Sequence, residues 1–206
     1  MCEIKLDQQF VVNIGKSLEP YFSLVENRLL STSQNQFECS IKEIAKKSFQ
    51  QKLDDHFKGE LNKGGIYLFH IITSDSIDTN QFVSAWNATR EKIEGKRPKA
   101  NINRKGQRTD ESAQQPGKYA LYVGSSLKVG SRIKEHFRDC KTAKSTTSLR
   151  LRCFPSKCLK NIVKITVNYI TFDGLHDSNS KEAAIHNLCR YFESKLRQKY
   201  QALIGE

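Results

Sequence analysis

The chain is short of apolar residues. Only 37% of its 206 residues are hydrophobic, with one methionine and one tryptophan. That share is below the usual globular range, so no core is expected to run the full length, and some segments are expected as loops or arms. Long apolar runs are missing too. None approaches the length that crosses a bilayer, and Met1 to Phe10 alternates charged and apolar residues where a signal peptide would have an apolar stretch. The expectation is a cytoplasmic protein with no membrane partner, whose six cysteines (Cys2, Cys39, Cys140, Cys153, Cys158 and Cys189) are reduced. No C-x-x-C pair occurs. A zinc site can be drawn from Cys140, Cys153, Cys158 and His176, but the spacing is non-standard and free thiols are the favoured reading.

Positive charge is what the chain has in excess. Lysine and arginine number 34 against 22 acidic residues, a formal charge of +12. A surface of that sign suits a polyanion, foremost nucleic acid, although a basic soluble surface without a specific partner has the same composition.

Residues 1–60 read as helical. Phe10, Val11, Ile14, Leu18, Phe22, Val25 and Leu29 recur at helical spacing, with Pro20 expected to kink or break the run. Residues 31–35 read as a polar linker, and Ile41, Ile44, Ala45, Phe49 and Leu53 as a second amphipathic helix ending near Gly59. A strand is predicted over 66–73, a helix over 80–92, and a second strand over 119–123 with Gly124-Ser125-Ser126 as its exit. A short helix follows over 129–138. A third strand over 162–172 is predicted half-exposed, with Val163, Ile165, Val167 and Tyr169 on its apolar side. A last helix spans about 181–203, with the stripe Ile185, Leu188, Phe192, Leu196 and Leu203.

Two long basic stretches interrupt this order. Residues 95–118 carry Lys96, Arg97, Lys99, Arg104, Lys105 and Arg108 among prolines and glycines; residues 140–160 carry Arg150 and Arg152. Each could be a solvated linker, but loops of this length are often functional, and nucleic-acid contact is the favoured reading. Ser125, Ser126 and Lys128, at the exit of the second strand, join them as candidate nucleic-acid contacts.

The residues with chemistry are Tyr67, Tyr122, Arg132, His136 and a late helical glutamate. Hydrolysis of a phosphodiester needs a base or water-orienting group, positive charge against the developing phosphorane, and usually a metal. Phenols are poor bases unless neighbouring cations favour the phenolate, and an arginine fork suits phosphate. Arg132 and His136, four apart, share a helix face. Taken singly, each of these residues is ordinary packing or surface; the combination and its order carry the reading.

That combination resembles the GIY-YIG nuclease family, and specifically its restriction-endonuclease-like members. Gly65-Ile66-Tyr67 matches the first motif, and Tyr122-Val123-Gly124 the second, with valine for the central isoleucine. Arg132, His136 and the late glutamate follow in order, and the resemblance covers roughly residues 64–206. It implies an α+β fold, a small three-stranded antiparallel sheet flanked by helices. Residues 61–206 would form the nuclease domain, with a basic insertion at 74–118, and residues 1–60 an N-terminal helical extension.

The resemblance also implies Mg²⁺- or Mn²⁺-dependent hydrolysis of DNA with one ion per active site. Tyr67 would act as general base or water-positioner, Tyr122 would orient water or phosphate, Arg132 would stabilise the transition state, and His136 would assist. Glu182 and Glu193 both lie on the last helix, about 16 Å apart along its axis. Glu193, beside Phe192 on the apolar stripe, is the favoured metal ligand. Two departures from the family stand out: Gly205 where members often have asparagine, and the long connection between the tyrosine strands. A similar enlargement in restriction-type members points to double-strand DNA cleavage, for which a homodimer would be suited. A structure-specific or RNA-directed nuclease and a non-catalytic nucleic-acid-binding module are the alternatives.

Overall fold

The computed structural model describes residues 8–31, 35–75, 82, 84–86, 117–138, 148–153, 161–172 and 179–204; side chains at 8–15, 153 and 179–182 are outside that description. The elements in chain order are α1 (Gln8–Ser31), β1 (Gln36–Ser40), α2 (Ile41–Ile44), α3 (Phe49–His56), β2 (Gly64–Thr73), β3 (Lys118–Ser126), α4 (Val129–His136), β4 (Ile162–Phe172) and α5 (Asn179–Tyr200). The strands form one antiparallel sheet in the order β1-β4-β2-β3.

The sheet has four strands, which corrects the expected three. The extra one is β1, inside the stretch read as linker and helix. It is five residues long and offers only Phe37 and Cys39 to the core. What makes it a strand is tertiary: it pairs with β4, and Phe37 packs against Phe49, Phe57 and Phe137 at ring separations of 6.1, 5.5 and 5.7 Å. Ser40 then ends the strand and starts α2 through a capping box. Its hydroxyl accepts from the Glu43 amide, and its own amide donates to Glu43 Oε2 at 2.7 Å. That amide, with Lys52 beside it, pulls the Glu43 carboxyl down to about 2. The single helix expected to run to Gly59 is therefore two short ones. Conversely, α1 continues through Pro20 as one helix.

Both faces of the sheet are covered. One face carries Tyr67, Phe69 and Ile71 of β2 with Ile165, Val167 and Tyr169 of β4, packed against α3, α4 and the Leu149–Leu151 segment. The other carries Ile66, Leu68, Val123 and Ile170 under Phe22 and Leu29 of α1 and Ile185, Phe192 and Leu196 of α5. Each such side chain contributes roughly 1.5–3 kcal/mol by leaving water. β2, in the middle, is nearly continuously apolar as a result.

β4 is buried on both faces from Ile165 to Ile170, including Thr166 and Asn168, where a half-exposed strand was expected. A register shift opposite Ile72 and Thr73 reverses its alternation at the start, so Ile162 is buried and Val163 exposed. Two further ties fix the outer helices. Glu26 of α1 accepts from Tyr200 Oη at 2.5 Å and Lys199 Nζ at 2.6 Å. After α5, Gln201 takes a left-handed turn (φ 42°), and the amides of Leu203 and Ile204 donate to Ala120 O and Leu121 O on the outer edge of β3. Among the described residues no helix is long and apolar enough to cross a membrane.

Among the described residues, His70 is a buried imidazole remote from Tyr67 and Tyr122, on the face that carries Tyr200. His70 is 1% exposed on β2, and burial, reinforced by Lys118, holds it down to about 4 from its ordinary 6.5. The folded state thus keeps His70 neutral while the unfolded chain protonates it below 6.5. Stability should fall as pH drops from 6.5 toward 4, by about 3 kcal/mol from this group at most. Urea denaturation across that range checks it: His70→Leu should flatten the acid limb by about one proton's slope, and an unchanged slope would contradict the assignment.

Candidate active site

The two motif glycines are where strands and rings come closest. A Cβ on Gly65 would run into the backbone carbonyl of Ile170, so β2 and β4 can approach there only without a side chain. Gly124 lies directly opposite Tyr67 in the β2–β3 ladder. A Cβ there would collide with the Tyr67 hydroxyl, meet Cζ at 2.5 Å and touch Tyr122 Cε1 at 2.8 Å. The missing side chain lets the Tyr67 ring lie across β3. Tyr122 is opposite Phe69, two residues along, and its ring stacks on Tyr67 with centroids 6.1 Å apart and planes 29° apart.

α4 closes this face. His136 is fully buried, with its ring 5.4 Å from Tyr67 and 5.0 Å from Tyr122. Its Nδ1 accepts the backbone N–H of Leu149 at 2.9 Å, so the proton of the neutral ring sits on Nε2. That Nε2–H lies 2.9 Å from Tyr67 Oη and donates to it. Burial, with Arg132 adding to it, keeps His136 well below its ordinary range and therefore uncharged. Expected as a phosphate or proton-transfer group, His136 is here a donor that fixes the Tyr67 oxygen and leaves the phenolic proton directed elsewhere.

Arg132, one turn earlier on α4, pairs with Glu135 Oε2 at 2.8 Å and is partly exposed. Desolvation pulls its guanidinium down, but Tyr67, Glu135 and Tyr122 together raise it, so it stays charged. Tyr67 is pushed well above the ordinary phenol value, first by burial and then by Tyr122 and Glu193, with Arg132 opposing. Tyr122 is raised for the same leading reason, against Arg197 and Arg132. The neighbouring cations do favour phenolate, but burial outweighs them, and at neutral pH both phenols are protonated.

Glu193 reaches the cluster from the other side of the sheet. α5 crosses next to the edge strand β3, and Glu193 Oε2 accepts a short hydrogen bond from Ser125 Oγ. Glu193 Oε1 pairs with Arg197 Nη2 at 2.6 Å, one turn on. Arg197 also donates from Nε to Val123 O at 3.3 Å, and its guanidinium lies 5.8 Å from the Tyr122 ring centroid. Side chains of Arg132 and Glu193 are each 17% exposed and that of Arg197 29%, so these charged groups are partly open to solvent while the phenols are buried.

The geometry thus brings Tyr67, Tyr122, Arg132, His136, Glu193 and Ser125 together. Ser126 and Lys128 stand just beyond, at the turn before α4, where Ser126 Oγ accepts the Lys128 amide. Arg150 is buried with a left-handed backbone (φ 49°), and Arg152 donates to the carbonyls of Ile44 and Lys46, bracing α2. Arg97, Lys99, Arg104, Lys105 and Arg108 lie outside the described residues, as do Cys140, Cys158, His176 and the side chains of Cys153 and Glu182.

Three participants were not anticipated. Arg197 and Glu135 follow Glu193 and Arg132 at helical i+4 and i+3 spacing, which is visible in the sequence. The Leu149 amide carried no sequence signal, being a backbone group. Comparison with known proteins adds no relative: no family model, no curated protein and no solved structure matches the chain.

Among the described residues no cluster of three or more His, Cys, Asp or Glu side chains is placed to hold a metal. A magnesium-type ion needs less from the protein, often one or two carboxylates, with waters and substrate phosphate completing the shell. Glu193 fits that role: an ionised carboxylate has about four acceptor sites, of which Ser125 and Arg197 take two. Stability reports directly on the Tyr67–Gly124 contact. Gly124→Ala should cost about 1–3 kcal/mol in urea denaturation through overpacking. Gly59→Ala, where a Cβ meets nothing within 4 Å, should stay within about 0.5 kcal/mol of the parent. Equal effects at the two glycines would refute the contact.

Proposed function

We propose that this protein is a divalent-metal-dependent endonuclease of the GIY-YIG type that hydrolyses DNA phosphodiester bonds, cutting both strands in the manner of a restriction enzyme. The observation that supports it is the convergence of Tyr67, Tyr122, His136, Arg132 and Glu193 at one end of the β2–β3 pair, with phenols inside and charged groups at the mouth. A homodimer acting in the cytoplasm belongs to the same proposal.

Each residue then has a task set by its surroundings. Arg132 offers its guanidinium fork to a non-bridging phosphate oxygen and stabilises the charge that grows there in the transition state. Tyr67 and Tyr122 orient the attacking water. Because His136 Nε2–H already occupies one lone pair of the Tyr67 oxygen, that oxygen is held in place and its proton is aimed away from the imidazole. Tyr67 begins protonated, so its service as a base increases with pH. Glu193 would hold Mg²⁺ or Mn²⁺, which supplies Lewis-acid stabilisation and acidifies bound water.

The test is cleavage of supercoiled plasmid with Mg²⁺ or Mn²⁺. Discrete linear fragments are expected, with losses of at least about 100-fold in Tyr67→Phe, Arg132→Ala and Glu193→Ala. The wild-type rate should rise from pH 7 toward alkaline pH, and Tyr67→Phe should lose that slope. Full activity in Glu193→Ala would defeat the metal assignment. Cleavage confined to flap, single-strand or RNA substrates would replace the restriction reading, and salt-sensitive binding with no cleavage under either metal would identify a binding module.

A further inference from the structure

Arg197 lies outside the set of residues that the GIY-YIG resemblance maps onto this chain, yet it is the closest charged partner of Glu193. Its Nη2 is 2.6 Å from Oε1, its Nε is anchored on the Val123 carbonyl, and its guanidinium lies against the Tyr122 ring. Three contacts to two elements make it a seated group instead of a loose surface arginine. The i+4 spacing on α5 places the two side chains as neighbours on one helix face. Ser125 fixes the other carboxylate oxygen, so the two oxygens are held in different ways: one by a neutral hydroxyl, the other by a full positive charge.

We propose that Arg197 is a resident counter-ion that neutralises Glu193 in the free protein and competes with the divalent cation for it. The inference rests on the reading of Glu193 as the metal ligand. A cation arriving at Glu193 meets a charge already compensated, beside a guanidinium of its own sign. Charges a few ångströms apart near a protein surface interact by several times the thermal energy, which is enough to change an affinity by one to two orders of magnitude. Arg197 therefore sets a weak intrinsic hold on the ion. Tight occupancy is left to the ternary complex, where substrate phosphate supplies negative charge that Glu193 alone does not.

Mn²⁺ titration of the metal-free protein, followed by the electron paramagnetic resonance signal of free Mn²⁺, tests this without any reference to cleavage. Wild type should bind weakly through Glu193, and Glu193→Gln should abolish that binding. Arg197→Gln should bind about 10- to 100-fold more tightly, and Arg197→Met, which keeps the aliphatic packing over Tyr122, should do the same. Arg197→Lys, which keeps the charge, should stay near wild type; thermal melts confirm folding for each variant. In plasmid cleavage, the Mg²⁺ concentration for half-maximal rate should fall in the neutral variants. Binding that is lost in Glu193→Gln but unchanged or weaker in both neutral Arg197 variants overturns the counter-ion role and leaves the metal assignment standing. Binding that survives Glu193→Gln, or no binding in any variant, overturns both.

Discussion

The hydrogen bond between His136 Nε2 and Tyr67 Oη holds the rest of the arrangement in place. It exists only because the Leu149 amide takes Nδ1 and leaves the proton on the other nitrogen. That amide is delivered by a segment with a left-handed Arg150, a conformation that costs a non-glycine residue on the order of 1 kcal/mol. The bond is neutral, fully buried and flanked by Phe69 and Tyr122, so it gains from a low dielectric without the cost of burying an ion. Fixing His136 fixes α4 on the sheet, and with it Arg132 one turn earlier.

The second organising fact is that β3 is an edge strand. Side chains from opposite faces of a central strand are kept apart by the sheet itself. At an edge they can meet around the rim. Tyr67 and Tyr122 sit on the α4 face, and α5 packs on the other, where Glu193 meets Ser125, yet Arg197 of α5 lies against Tyr122. The cluster is therefore assembled from two hydrophobic cores and inherits its rigidity from both. Its polar mouth is the seam between them.

Much of this was legible in the sequence, for identifiable reasons. β2, β3, β4, α4 and α5 announce themselves through β-branched runs and helical stripes. Gly65 and Gly124 mark the two close approaches because only a missing Cβ permits them. The fourth strand was missed because Phe37 and Cys39 are too few to outweigh helical signal on either side; pairing with β4 and an aromatic pocket decide it. Ser40 and Glu43 did carry a capping signature that marks the residue before the helix start. The depth of β4 was underestimated because Thr166 and Asn168 are polar, and only the topology shows that both faces are covered. Of the candidate site, the side chains were named through the motifs and the resemblance they carry, but the tautomer of His136 depends on a loop amide that leaves no trace in residue type.

The margins of the sheet have a consequence for the chain's solution behaviour. On the outer side of β3, the Leu203 and Ile204 amides occupy backbone carbonyls that another strand would otherwise use. On the outer side of β1, Lys52 Nζ covers Glu38 O, and the Glu43 carboxylate covers the Ser40 amide. Blocked in this way at both margins, the sheet is poorly suited to templating its own growth, which matters for a protein whose central strands are almost wholly apolar. Crowding or partial concentration of such a chain would ordinarily invite strand-to-strand stacking into fibres. Here the backbone groups such stacking would use are already taken at both margins, by the chain's own tail on one side and by its own side chains on the other.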